Sequence, residues 1–332
     1  MRRWLIVVVG LLVVGCSEDA QRKPVDGGGK EAGRDVGVGD TGPTVDADAA
    51  ADAARDAPAG DVAAADTSSM SSWRCPSPLP SGWIFCEDFE SIGDPKQVFY
   101  EFNDNNGNFR VVDTEGASGT HSLQMSYKQG QIGGSWATVA FGRNPLVNNQ
   151  PSYRKTEDFT EVYWRFRIKH QQGWPDVGPA KTTRLISFAK PDWGQAMIAH
   201  LWSKDLVLIG DPVRCATGTS VPCSGINDFG NFNWIGQLPG KTKIFSSALS
   251  GSWHCVEAHV KLNTPGQSDG VFEFWIDGQQ ENTRSGMNWR DSYTGYGLNA
   301  VYFENYWNGG ATADLERWFD DLVIATQRIG CN

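Results

Sequence analysis

The chain has 332 residues, 40% of them hydrophobic and 20% charged, with 39 acidic against 29 basic side chains and a formal net charge of −10 at neutral pH. That length accommodates a single large β-sandwich plus appendages. The acidic balance excludes a nucleic-acid-binding surface, which needs a basic face.

Residues 1–15 read as an export signal. Met1-Arg2-Arg3 supplies a positive start, and Trp4 to Val14 is apolar apart from Gly10, a run too short to span a bilayer. Val13-Val14-Gly15-Cys16 sets a small residue before a thiol, so Cys16 is expected to be lipidated after cleavage and to hold the protein on a membrane. Each buried acyl methylene contributes roughly 0.8 kcal/mol. Ser17, rather than Asp, follows the cysteine and resembles the pattern sorted to the outer membrane.

Residues 16–72 form the next segment, and from Ser17 onward it is Asp, Ala and Gly with scattered Pro and no aromatic residue. Without large apolar groups it cannot offset the entropy of ordering, so a disordered tether is expected. Its net charge of −7 favours extension beyond the roughly 40 Å expected of a flexible chain of that length.

Residues 73–332 alternate with period two. In Val162–Lys169 one face is Val, Trp, Phe and Ile and the other Tyr, Arg, Arg and Lys, a half-buried strand. Val256–Leu262 and Phe272–Ile276 alternate likewise around a Thr-Pro-Gly-Gln-Ser-Asp-Gly loop and form a hairpin. Lys181–Phe188, Ala196–Trp202, Ala300–Trp307 and Phe319–Ala325 read as further strands. With 38 glycines, 16 prolines and no convincing helical stripe, the expected class is all-β, an antiparallel two-sheet sandwich. Six cysteines remain after Cys16, enough for three disulfides in an oxidising compartment. Cys215 and Cys223 flank a turn-rich segment and are expected to pair.

Ser252-Trp253-His254-Cys255 entering a strand and Gly270 to Gly278 returning resemble the Trp-His hairpin of laminin-G-like and pentraxin-like domains. Phe85 to Glu90 and Trp318 to Ile324 resemble the paired first and last strands of the concanavalin A-like lectin/glucanase superfamily, a jelly roll. The resemblance implies that the chain ends adjoin, which would pair Cys75 with Cys331 and leave Cys86 for Cys255. It also implies a structural Ca²⁺ at Asp88 and Asp320 or Asp321, unless these acids only guard a solvated edge.

The superfamily holds lectins, glycosidases and polysaccharide lyases, so fold alone does not select an activity. The Glu-x-Asp-x-x-Glu pattern of its retaining glucanases is absent from every inferred strand. Its lyases need a group that neutralises a uronate, a base and an acid. Arg184, His200, Tyr302 and Tyr306 resemble the Arg, His and Tyr strands of alginate-lyase-like proteins, although Arg184 lacks a neighbouring Glu and Glu304 stands where a Lys is expected. Trp202, Glu304 and Trp307 are candidate saccharide contacts, since an indole stacks on a sugar ring. Trp136, Trp174, Trp193, Trp234 and Trp289 are further indoles expected on loops or polar faces. These features lead to a lipid-anchored polysaccharide-binding module, lectin-like, with a uronate-polymer lyase and a structural envelope protein as alternatives.

Overall fold

The computed structural model describes residues 73–146, 148–178 and 180–331. The export signal, Cys16 and the acidic tether lie outside the described residues. The strands are β1 (Trp83–Glu87), β2 (Glu101–Asn103), β3 (Phe109–Val112), β4 (Ser122–Tyr127), β5 (Gly133–Ala140), β6 (Glu161–His170), β7 (Ala180–Phe188) and β8 (Gln195–Lys204). They continue with β9 (Val207–Arg214), β10 (Asn233–Trp234), β11 (Leu238–Pro239), β12 (Trp253–Lys261), β13 (Gly270–Ile276), β14 (Gln279–Met287), β15 (Ala300–Trp307) and β16 (Leu315–Ala325).

They form two antiparallel sheets. The first runs β14-β13-β12-β6-β16-β4-β3, with β1 also on β16; the second runs β10-β9-β8-β7-β15-β5-β2, with β11 on β9. Alternation in β6 explains the layering: Val162, Trp164, Phe166 and Ile168 are wholly buried and face the second sheet, where Leu185, Met197, Ala199, Val301 and Phe303 meet them. The chain is therefore an all-β jelly-roll sandwich, as its periodicity implies.

β1 does pair antiparallel with β16, Cys86 opposite Val323. The disulfides nonetheless differ from two of the expected pairings. Cys75 bonds Cys86 and Cys255 bonds Cys331, while Cys215 bonds Cys223 as expected. The reason lies in both chain ends. The segment before β1 folds back along it, its Cys75 amide donating to Asp88 Oδ2 at 2.8 Å. After β16 the tail crosses β6 toward β12: Arg165 and Arg167 donate to the carbonyls of Gly330 and Cys331, and the Ile329 and Gly330 amides donate to buried Glu257.

Candidate functional site on the outer face of the second sheet

Side chains that point inward from β7, β8 and β15 belong to the core between the sheets; those that alternate with them form an outer face that is apolar toward Ile186, Phe188, Ile198 and Ala300 and polar toward Arg184, His200 and Glu304. Across that face, Thr138, Tyr302, Arg184, His200 and Asp211 stand opposite one another on β5, β15, β7, β8 and β9. Arg184, His200 and Tyr302 are nearly buried, at 4%, 5% and 1% exposure.

Arg184 does not wait for a substrate carboxylate. Its guanidinium pairs with Glu304 Oε1 at 3.0 Å, donates to Asn227 Oδ1 at 2.5 Å and lies over the Tyr302 ring. Asn227 is fixed in turn by its amide, which donates to Gln195 Oε1. It belongs to the segment after the Cys215–Cys223 clip, whose Phe229 and Phe232 pack against this outer face.

A second, half-exposed row lies beside the buried one. Lys181 stands between Trp202 and Tyr306, its Nζ 4.5 Å from the Tyr306 ring centroid. Strict alternation would send Lys181 and Arg184 to opposite faces. The β7–β8 register slips between Lys181 and Thr183 and the β7–β15 register between Phe303 and Tyr306, and these bulges turn Lys181 outward. The slip is what period-two reasoning missed, although Lys181 was visible three residues before Arg184. Behind it, the Arg317 guanidinium reaches from β16 through the core and donates to the backbone carbonyls of Lys181 and Glu304. It thereby satisfies carbonyls where the ladder is irregular.

The electrostatics sort the titratable groups. Burial, then the neighbouring charges of Arg184 and Lys181, hold the His200 imidazole well below its usual range, so it is neutral. Burial pushes the Tyr302 hydroxyl well above its usual range. Among the described residues, His200 Nε2, Trp202 Nε1, Tyr302 Oη and Glu304 Oε2 lack a partner of good hydrogen-bond geometry. Each such buried group costs about 1–3 kcal/mol. These four groups share the outer face of the second sheet.

Not every expected residue arrives there. Trp307 is 1% exposed and lies on the core side of β15, stacked on Trp174 and edge-on to Tyr127; its odd position puts it with Val301 and Phe303, away from Tyr302. It cannot stack on a sugar. Trp174 and Trp289 are buried too, whereas Trp136, Trp193 and Trp202 are half-exposed and Trp234 exposed.

Asp88 and Asp321 stand near the β1–β16 pairing, and protein groups engage both. Asp88 accepts from the Cys75 and Glu90 amides; Asp321 accepts from Ser118 and pairs with Arg167 at 3.0 Å. Among the described residues no group of three or more His, Cys, Asp or Glu is placed to hold a metal.

The model of the polysaccharide lyase 14 family matches residues 243–319, a stretch that includes Tyr302, Glu304 and Tyr306 but not Arg184 or His200. No curated protein matches the chain. Among solved structures, an endo-β-1,4-glucuronan lyase from the fungus Trichoderma reesei superposes with a TM-score of 0.51 at 16% identity, over 73% of this chain and 95% of that one. The PL-14 alginate lyase of the marine Aplysia kurodai gives 0.51 at 13% identity, over 74% and 99%. The domain thus has the jelly-roll fold of these polysaccharide lyases, with the likeness to the polysaccharide lyase 14 family model confined to residues 243–319.

Proposed function

We propose that the sandwich cleaves uronate-containing polysaccharide by β-elimination on the outer face of its second sheet. The observation that carries this reading is the half-exposed Trp202–Lys181–Tyr306 row beside His200, whose Nε2 has no hydrogen-bond partner in the buried row. The jelly-roll likeness to a glucuronan lyase and an alginate lyase supports it.

In this mechanism a uronate ring stacks on Trp202 and sets its carboxylate against the Lys181 ammonium, which lowers the cost of charge building at C5. His200 Nε2 takes the C5 proton. The electron pair forms the C4–C5 double bond, the C4–O bond breaks, and the departing oxygen takes a proton from the Tyr306 hydroxyl. The products are a 4,5-unsaturated uronate end and a new chain end, with no water consumed. Arg184 is a positioning group: its ion pair holds Glu304, and its contact with Asn227 holds the overlying segment.

The lectin reading loses three of its stacking candidates, since Trp174, Trp289 and Trp307 are buried. The anchor is part of the proposal: Arg2-Arg3, the apolar run and Gly15-Cys16 support a protein held by lipid on the outer membrane, the domain reaching polymer through its acidic tether. Incubating the protein with glucuronan, alginate and glycosaminoglycans and following the absorbance of unsaturated uronate tests the chemistry; absence of a rise on every uronate polymer counts against it. For the anchor, Cys16→Ala should release the protein from membranes or block processing, and unchanged membrane partition would contradict it.

A further inference from the structure

The polar face continues past β15 to an edge that the elimination chemistry does not use. Trp136 on β5 stands opposite Glu304 on one side and Asn103 on β2 on the other. Beyond it opens a cleft of about 250 Å³, lined by Lys96, Tyr100, Asn103, Trp136 and Gln150. A second hollow of about 160 Å³ shares Tyr100 and Gln150 with it and adds Asn144, Asn148 and Lys155.

The lining is built for a charged, hydroxylated ligand. The half-exposed Trp136 indole is held by its N–H, which donates to Glu101 Oε2 at 3.0 Å, and the Tyr100 hydroxyl accepts from Asn148 Nδ2 at 2.7 Å. Both rings are therefore fixed before any ligand arrives. Lys96 and Lys155 are exposed, and among the described residues neither ammonium has a carboxylate within ion-pair distance. Two such cations, Lys96 on the cleft and Lys155 on the adjoining hollow, stand out in a chain of net charge −10. Glu101 also borders the cleft; burial raises its carboxyl, and the Trp136 N–H occupies one of its oxygens.

We infer that this edge cleft and the adjoining hollow form a distal binding site for an acidic polysaccharide, in which Trp136 stacks on a sugar ring while Lys96 in the cleft and Lys155 in the hollow meet uronate carboxylates of the same chain that lies across Lys181 and Tyr306. The inference rests on the lyase reading for the choice of sugar. Strands lie about 4.8 Å apart, so β2 is some 19 Å from β8. A long oligomer can occupy both ends of the face and a disaccharide only one.

The test is lysine footprinting by acetylation and mass spectrometry on the full chain, with long oligoglucuronate, the glucuronate disaccharide or a neutral cello-oligosaccharide as probe. Long oligoglucuronate should protect Lys96 and Lys155 as well as Lys181. The disaccharide should leave at least one end of the face unprotected, and the neutral probe should protect neither cleft lysine. The double variant Lys96→Ala, Lys155→Ala should weaken long oligoglucuronate by about 3- to 10-fold, the scale of two exposed ion pairs, with disaccharide turnover unchanged. Protection of Lys181 alone overturns the distal site and leaves the lyase reading standing. Protection of Lys96 and Lys155 without turnover of any uronate polymer leaves the site and removes the lyase. Equal weakening of long and short ligands, or no protection at all, overturns the inference.

Discussion

The guanidinium of Arg184 lies 3.0 Å from Glu304 Oε1, with both side chains less than a tenth exposed. Removing one partner of such a pair strands the other charge in a low-dielectric site, at about 3–5 kcal/mol. Glu304→Ala should therefore lower the melting temperature sharply. The double change Arg184→Met, Glu304→Leu should recover much of the loss. Thermal unfolding of the two variants and the wild type checks this; a Glu304→Ala protein as stable as wild type would show that the pair is solvated.

Trp307 fills the space between Trp174 and Tyr127. Trp307→Ala should cost about 3–5 kcal/mol of stability, the usual range for emptying a buried indole site. Trp202→Ala should instead weaken saccharide binding with little change in melting temperature. Calorimetry on both variants separates the roles, and a Trp307→Ala protein of normal stability but poor binding would restore Trp307 to the saccharide face.

The three disulfides close chain separations of 11, 8 and 76 residues. In the chain-entropy model the Cys255–Cys331 bridge contributes about 4.5 kcal/mol and the Cys215–Cys223 bridge about 2.5 kcal/mol. Replacing the first pair with alanines should cost more stability than replacing the second. Peptide mapping under non-reducing conditions should recover Cys75 with Cys86; a Cys75–Cys331 peptide would contradict the arrangement.

Glu87 is pushed up to about 7, burial being the main cause. A carboxyl raised in the folded state contributes stability below its unfolded value and loses it as pH rises through the folded one. The gap in melting temperature between Glu87→Gln and wild type should thus widen in favour of the variant as pH rises from 4.5 to about 7 and level off above, because glutamine keeps an acceptor for the Phe89 amide and cannot ionise. His170 and His200, held neutral by burial, act in the opposite sense: both proteins should lose stability as pH falls below about 6.5. A gap that stays constant from acid to alkali would refute the assignment to Glu87.

The strands that sequence alone revealed are those with one apolar and one polar face, such as β6 and β12. Others were hidden for physical reasons. The β14 stretch Gln279–Met287 is an edge strand, polar on almost every residue, and β9 carries Gly210-Asp211-Pro212, which reads as a turn until β8 and β11 pair with it. The shared face of His200, Arg184 and Tyr302 followed from alternation. Lys181 did not, because its orientation depends on bulges that pairing partners impose. The disulfides turned on the paths of the two chain ends, which no periodicity records.

The central claim is that His200 and Tyr306 move protons during uronate elimination. The direct measurement is the rate of unsaturated-uronate absorbance on glucuronan and alginate for wild type, His200→Ala and Tyr306→Phe, with oligouronate affinity measured in parallel. Each variant should lose about 10²- to 10⁴-fold in kcat, the range typical of a general acid or base, while affinity stays within a few-fold. Wild-type turnover that survives both substitutions, or a wild type that binds these polymers without ever producing the chromophore, would contradict the account.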